Sequence, residues 1–136
     1  MNRYIFPAVF LVDEENGGYT VIFPDLPGCI TEGDSLSEAM VMAKEALELH
    51  MYCLEGDKEG IPVPTAPERI TLNKGEFITL IEAYMPLIRA EMANKSVKKT
   101  LTIPRWLNEL AENNHVNFSL MLQEGLKERL GVKEYH

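Results

Sequence analysis

The amino-acid sequence predicts an α+β fold in two modules, a small sheet with one packed helix followed by a strand–helix–helix unit. Three observations carry this. Short β-rich runs separated by turn residues fill the first third of the chain, and a strong helix start follows them. The charge then changes sign: residues 1–94 hold sixteen Asp and Glu against six Lys and Arg, a balance of −10, whereas residues 95–136 hold five against seven, +2. On charge alone such a step fits two modules with different partners as well as it fits solubility in the first and accident in the second. Finally, the last forty or so residues offer a single strand and two amphipathic helices, too little to bury both faces of each element alone.

The whole chain has 136 residues, 46% hydrophobic and 25% charged. These are the proportions of a soluble globular protein rather than of a disordered or fibrous one. No apolar run approaches the roughly 18–20 residues that span a bilayer. Pro7 and Asp13 interrupt the N-terminal apolar stretch, which therefore lacks the form of a signal peptide, and a cytoplasmic protein is expected. Cys29 and Cys53 fit a reducing compartment. With no CxxC and no His at ligand spacing they give no zinc signal, so neither a metal nor another cofactor is expected.

Along the first module (residues 1–94), "YIFPAVFLVD" reads as a strand, "EENGG" as a turn able to take positive φ, and "YTVIFP" as the second strand of a hairpin ended by Pro24. "DLPGC" is a Pro-Gly turn into a third short strand, "CITEGD". Ser35 followed by Glu38 forms a capping box and starts a helix. Leu36, Met40, Ala43, Leu47, His50 and Leu54 recur along it at spacings of three and four, the stripe expected to lie on the sheet. His50 has no second ligand at helical spacing, so packing is the better account of it. A long Pro- and Gly-punctuated loop runs from Glu55 to Glu76, and "FITLIEAYM", apolar on both faces, reads as a central strand. "LIRAEMANKS" is a short connector.

The second module (residues 95–136) opens with "KKTLTIP". In an extended segment Leu101 and Ile103 point one way, and Lys98, Thr100 and Thr102 the other. Pro104 suits a first helical position, and "RWLNELAEN" brings Trp106 or Leu107 together with Leu110 and Ala111. After the turn "NHVN", Asn117 is the expected N-cap of "FSLMLQEGLKERLG", and Gly131 its stop. A lone strand needs a partner, and the simplest is its own copy from a second chain. The module should be an obligate dimer.

Residues 98–131 closely resemble a ribbon–helix–helix DNA-binding domain. The resemblance implies that two strands pair antiparallel across a two-fold axis and enter the major groove. Lys98, Thr100 and Thr102 would then read bases, Lys donating to guanine and Thr packing or bonding at either base type. Lys99 and the start of the second helix, Asn117, Phe118 and Ser119, would hold phosphate. One departure is His115, at a place in the turn that often carries Gly. The first module, through "YTVIFPDLPGCITEGDSLSEAMVMAKEAL", resembles the HicB-type antitoxins. That likeness implies a partial RNase H-like fold that binds and masks a HicA-type toxin, a small basic mRNA-cleaving ribonuclease. It also implies a C-terminal domain that binds the operator of its own operon, a homodimer through the ribbon, and no membrane partner; a tetramer through the N-terminal modules stays open.

Two rivals remain on sequence grounds. An RNase H-like nuclease would gather carboxylates around metal ions, with Asp13, Glu14, Glu15, Asp25 and Asp34 as candidates. These residues sit in turns where acids are commonplace, and no catalytic residue is assigned. The other rival is a stand-alone transcription regulator whose N-terminal module senses a small molecule. Neither cysteine has an adjacent cation to make it a redox sensor. The toxin would meet the hairpin edge or the long loop.

Overall fold

The computed structural model describes residues 1–58 and 60–133. Its elements are β1 (Arg3–Val12), β2 (Tyr19–Ile22), β3 (Ile30–Gly33), α1 (Leu36–Asp57), β4 (Glu76–Tyr84), α2 (Met85–Asn94), α3 (Arg105–Asn113) and α4 (Phe118–Leu130). The chain divides into two compact units between Arg89 and Ala90, inside α2 and a few residues ahead of the boundary expected from charge.

In the first unit an antiparallel sheet has the order β3-β2-β1-β4. Strand alternation sends Tyr4, Phe6, Ala8 and Phe10 of β1 to one face, in register with Ala83, Ile81 and Phe77 of β4 and with Val21 of β2. That face carries the core, closed by Ala39, Ala43, Leu47 and Met51 of α1. Phe10 stacks against Phe77 with ring centroids 5.2 Å apart, and Tyr19 meets Phe77 edge-on at 6.0 Å.

The helix start behaves nearly as its sequence requires. Ser35 Oγ accepts from the Glu38 amide at 3.1 Å, while the Glu38 carboxylate reaches back to the Asp34 amide at 3.2 Å, one residue beyond a standard capping box. The buried line differs from the expected stripe. It runs through Ala39, Ala43, Leu47 and Met51, leaving Leu36 and Met40 exposed and His50 and Leu54 half-buried. The small alanines and Gly33 explain this. A Cβ at Gly33 would lie 2.4 Å from the Ala39 amide nitrogen, so helix and strand backbones approach where side chains are smallest.

β4 is an edge strand, not the central strand its apolar run predicted. The chain returns beside β1, whose other neighbour is already β2, and the second face of β4 keeps Leu80 exposed. Part of the free edge is occupied by α1: the Tyr84 amide donates to Glu48 Oε2 at 3.0 Å, and Lys44 Nζ donates to the Glu82 carbonyl at 3.4 Å. Side chains that cover edge groups oppose pairing with a foreign strand there.

In the second unit Pro104 is the N-cap of α3 and not its expected first helical residue, so the helix begins one position later, at Arg105. His115 takes φ +54°, the left-handed geometry for which Gly is the usual choice. Asn117 Oδ1 accepts from the Leu120 amide at 3.0 Å. Gly131, at φ +71°, closes α4 through bonds from its own amide to the Glu128 carbonyl and from Val132 to Lys127, a Schellman arrangement. No described residue of α3 or α4 is buried. The strand expected from Lys98 to Ile103 is not formed in the single chain. A ladder requires a second strand, and this unit has none to offer among its described residues.

Candidate functional site

A cleft of about 930 Å³ lies within the second unit, between residues 94–103 and α4. Leu101 and Ile103 line it from one side, Phe118, Leu122 and Leu126 from the other. Lys98, Lys99 and Ser119 share the cleft, whereas Thr100, Thr102 and Asn117 are exposed outside its lining. The structure therefore brings four of the seven expected DNA-contacting residues together. From Thr100 to Ile103 the alternation is that of an extended segment, hydroxyls out and apolar groups in, but Lys98, expected on the face of Thr100 and Thr102, lines the cleft with Leu101 and Ile103 in the single chain. The Asn117 carboxamide is engaged in its cap, and Ser119 Oγ accepts from Gln123 Nε2 at 3.0 Å, keeping its own O–H free to donate. The amides of Phe118 and Ser119 open the helix, where partial positive charge favours an anion.

The first unit carries no comparable gathering of chemistry. Asp13 caps its own turn, accepting from the amides of Glu15 and Asn16, and the Asn16 amide holds its carboxyl below the usual range. The Asp25 carboxylate accepts from the Thr65 amide at 2.9 Å and from the Thr65 hydroxyl, tying the long loop to the end of β2. Among the described residues no group of three or more His, Cys, Asp and Glu is placed to hold a metal ion. Cys29 is buried, its thiol donates to the Ala46 carbonyl at 3.7 Å, and burial pushes its pKa up to about 11, the opposite of a reactive thiolate.

Two features were missed in the sequence. One is a groove of about 590 Å³ around Ile5, bounded by the loop residues Ile61–Pro64. The other is a clasp at the end of the first unit. Arg89 donates to both Glu55 oxygens, at 3.1 and 2.6 Å, to the Met1 carbonyl at 2.6 Å and to Asn2 Oδ1 at 3.0 Å, while Tyr4 Oη donates to Glu55 at 2.7 Å. Its only sequence signal was that Arg89 is the lone cation between Lys74 and Lys95. The Arg89 guanidinium holds the Glu55 carboxyl below the usual range. A lowered folded-state pKa contributes stability that is present above the unfolded pKa and is lost as pH falls through the folded one. Glu55→Gln should therefore cost about 1–2 kcal/mol at pH 7. Urea unfolding at stepwise lower pH should show the gap to the unaltered chain closing through the acid range; a gap that widened there would contradict the clasp.

Comparison with known proteins decides the family. The model of the HicB-like antitoxin of bacterial toxin–antitoxin systems matches residues 6–124. The chain belongs to the HicB-like antitoxins. The Escherichia coli K12 antitoxin HicB is 30% identical over 108 residues, 74% of this chain and 78% of the relative. Antitoxin HicB 1 of Photorhabdus laumondii is 34% identical over 98 residues, 67% of this chain and 63% of that one. An uncharacterised 14.9 kDa protein of Haemophilus phage HP1 is 34% identical over 96 residues, 71% of each. Among solved structures, a chain of a toxin–antitoxin complex from Streptococcus pneumoniae superposes with a TM-score of 0.61 at 25% identity, covering 93% of this chain and 99% of that one. The Burkholderia pseudomallei antitoxin HicB shares the fold at a TM-score of 0.51 and 21% identity, over 93% and 96% of the two chains. A HicB-like antitoxin is the neutralising member of its pair and not the catalytic one, which answers the nuclease alternative. No described helix is long and apolar enough to cross a membrane.

Proposed function

We propose that this HicB-like antitoxin masks a HicA-type toxin, a small basic mRNA-cleaving ribonuclease, with its first unit and represses its own operon with its second. The first unit is taken as a partial RNase H-like fold and the second as a ribbon–helix–helix domain. One observation carries the division of labour. α3 and α4 bury no described residue, and the apolar walls of their cleft, Leu101, Ile103, Phe118, Leu122 and Leu126, are all exposed in one chain. These exposed apolar walls would be covered by a second copy, whose residues 98–103 would pair antiparallel with the first copy's, turn Lys98 out of the cleft and present two sets of Lys98, Thr100 and Thr102 on one outer face. Lys99 and the opening amides of α4 at Phe118 and Ser119, behind the Asn117 cap, would hold the flanking phosphates. The acidic balance of residues 1–94 supports the other half of the function, because a ribonuclease that grips an RNA backbone is cationic at its binding face.

The test uses the full-length chain and a HicA-type ribonuclease co-expressed with it. Co-expression should suppress RNA cleavage by that protein, and the antitoxin should shift DNA from upstream of its own gene. A dimer that neutralises about six phosphates should lose on the order of 10³-fold in affinity between 50 and 200 mM salt. Operator binding insensitive to salt would overturn the DNA half, and undiminished RNA cleavage the toxin half.

A further inference from the structure

The groove around Ile5 is built from two separated segments, residues 1–6 and the Ile61–Pro64 loop, and filled by neither. Ile5 of β1 lies on the sheet face opposite α1, and the register places Leu80 of β4 diagonal to it, since Pro7 pairs with Leu80 and Ile5 with Glu82. Ile5 is 49% exposed, Leu80 54% and Met1 85%, and the loop adds Ile61 at 37% and Val63 at 86%. Large apolar side chains clustered and left open to water in this way mark an interaction surface. The loop side of the groove is fixed in advance. Pro62 and Pro64 restrict φ on either side of Val63, and Thr65 is bonded through amide and hydroxyl to Asp25. A side chain held out on so constrained a segment loses little freedom on binding.

Charge decides the occupant. Among the described residues lining the groove, Arg3 has the one charged side chain, and it is neutralised by an ion pair to Glu82 and lies over the Tyr84 ring, 4.7 Å from its centroid. Around this neutral centre the first unit, residues 1–89, holds fifteen Asp and Glu against six Lys and Arg. Two such units repel one another, whereas a cationic protein with an apolar prominence is attracted and fits. We infer that the groove between Ile5 and the Ile61–Pro64 loop, with Leu80 diagonal to Ile5 on the same sheet face, is the seat of the toxin. This rests on the proposed masking of a basic ribonuclease and names the surface that does it.

The experiment compares three full-length variants by calorimetric titration with the toxin purified from the co-expressed complex. Val63→Arg sets a cation in the groove and Leu80→Arg one beside it, on the same sheet face as Ile5; Val41→Arg sets one on the solvent face of α1, where Val41 is 57% exposed. Val63 is a loop residue whose replacement leaves the core untouched, so it tests the surface even where Leu80→Arg weakens the sheet edge. Each groove variant should bind the toxin at least roughly 30-fold more weakly, the magnitude of a central interface residue, while Val41→Arg stays within about threefold and operator binding is unchanged in all three. Toxin affinity undiminished by both groove variants, or diminished equally by Val41→Arg, overturns the groove and leaves the masking function standing. An unaltered chain that does not bind the toxin overturns both.

Discussion

An antitoxin carrying Lys98→Ala together with Thr100→Ala is expected to lose operator affinity by about 10³-fold or more and to neutralise its toxin as before. Both side chains are exposed, and neither supplies an apolar wall of the cleft; Leu101 and Ile103 do that and are untouched. Fold and self-association should therefore survive, which size-exclusion chromatography of the variant checks. The loss follows from base readout, where each good contact is worth roughly 1–3 kcal/mol of discrimination. A two-fold dimer forfeits each contact twice, so even the low end of that range gives about 4 kcal/mol, close to three decades. Lys98 also contributes charge, so the salt dependence of the residual binding should flatten. The toxin would be held by the first unit, which contains neither residue. Gel shift and RNA cleavage measured on one preparation separate the outcomes: full operator affinity would refute base reading by this segment, and lost neutralisation by a folded variant would refute the division between units.

What the sequence made legible depended on how local the governing physics is. The hairpin, the Pro-Gly turn, the Ser35 cap, the Asn117 cap and the Gly131 stop are each set by a few neighbouring residues, and all form where expected. The position of β4 at the sheet edge is not local. Its apolar residues point to both faces, and only the return of the chain beside β1 determines that one of those faces stays open. The α1 stripe was displaced for a related reason. Large side chains mark the apolar face in sequence, but Ala39 and Ala43 make the closest contact because they are small. The strand from Lys98 to Ile103 was legible as a pattern yet cannot form in one chain. The Arg89 clasp joins residues as much as 88 positions apart, a pairing no spacing rule reports.

The second large effect concerns Gly33, where adding one methyl group should unfold more stability than removing most exposed side chains. Gly-to-Ala changes in compatible geometry usually stabilise by about 0.4–1 kcal/mol, because the unfolded chain has less freedom to lose. Gly33 should reverse that sign. Its φ is ordinary, so the obstacle is space: the added Cβ would stand 2.4 Å from the Ala39 nitrogen, 2.7 Å from the Ala39 Cα and 2.9 Å from the Glu38 carbonyl carbon. All three are backbone atoms of the first turn of α1, which the Ser35 cap fixes and which cannot rotate aside as a side chain could. Relief requires lifting the helix start from β3, and that withdraws Ala39 and Ala43 from Phe6, Phe10 and the rest of the core. Overpacking of this kind costs typically 1–3 kcal/mol and occasionally more; about 3 kcal/mol is expected, enough to lower Tm by more than 10 °C in a unit of this size. Gly56 supplies the contrast. It lies in the last turn of α1 with open space where its Cβ would be, so Gly56→Ala should stabilise by about 0.5 kcal/mol through helix propensity alone. Urea unfolding of the two full-length variants should move their midpoints in opposite directions. A Gly33→Ala chain as stable as the unaltered protein would mean that α1 does not approach β3 at this point, and the core line through Ala39 and Ala43 would have to be redrawn.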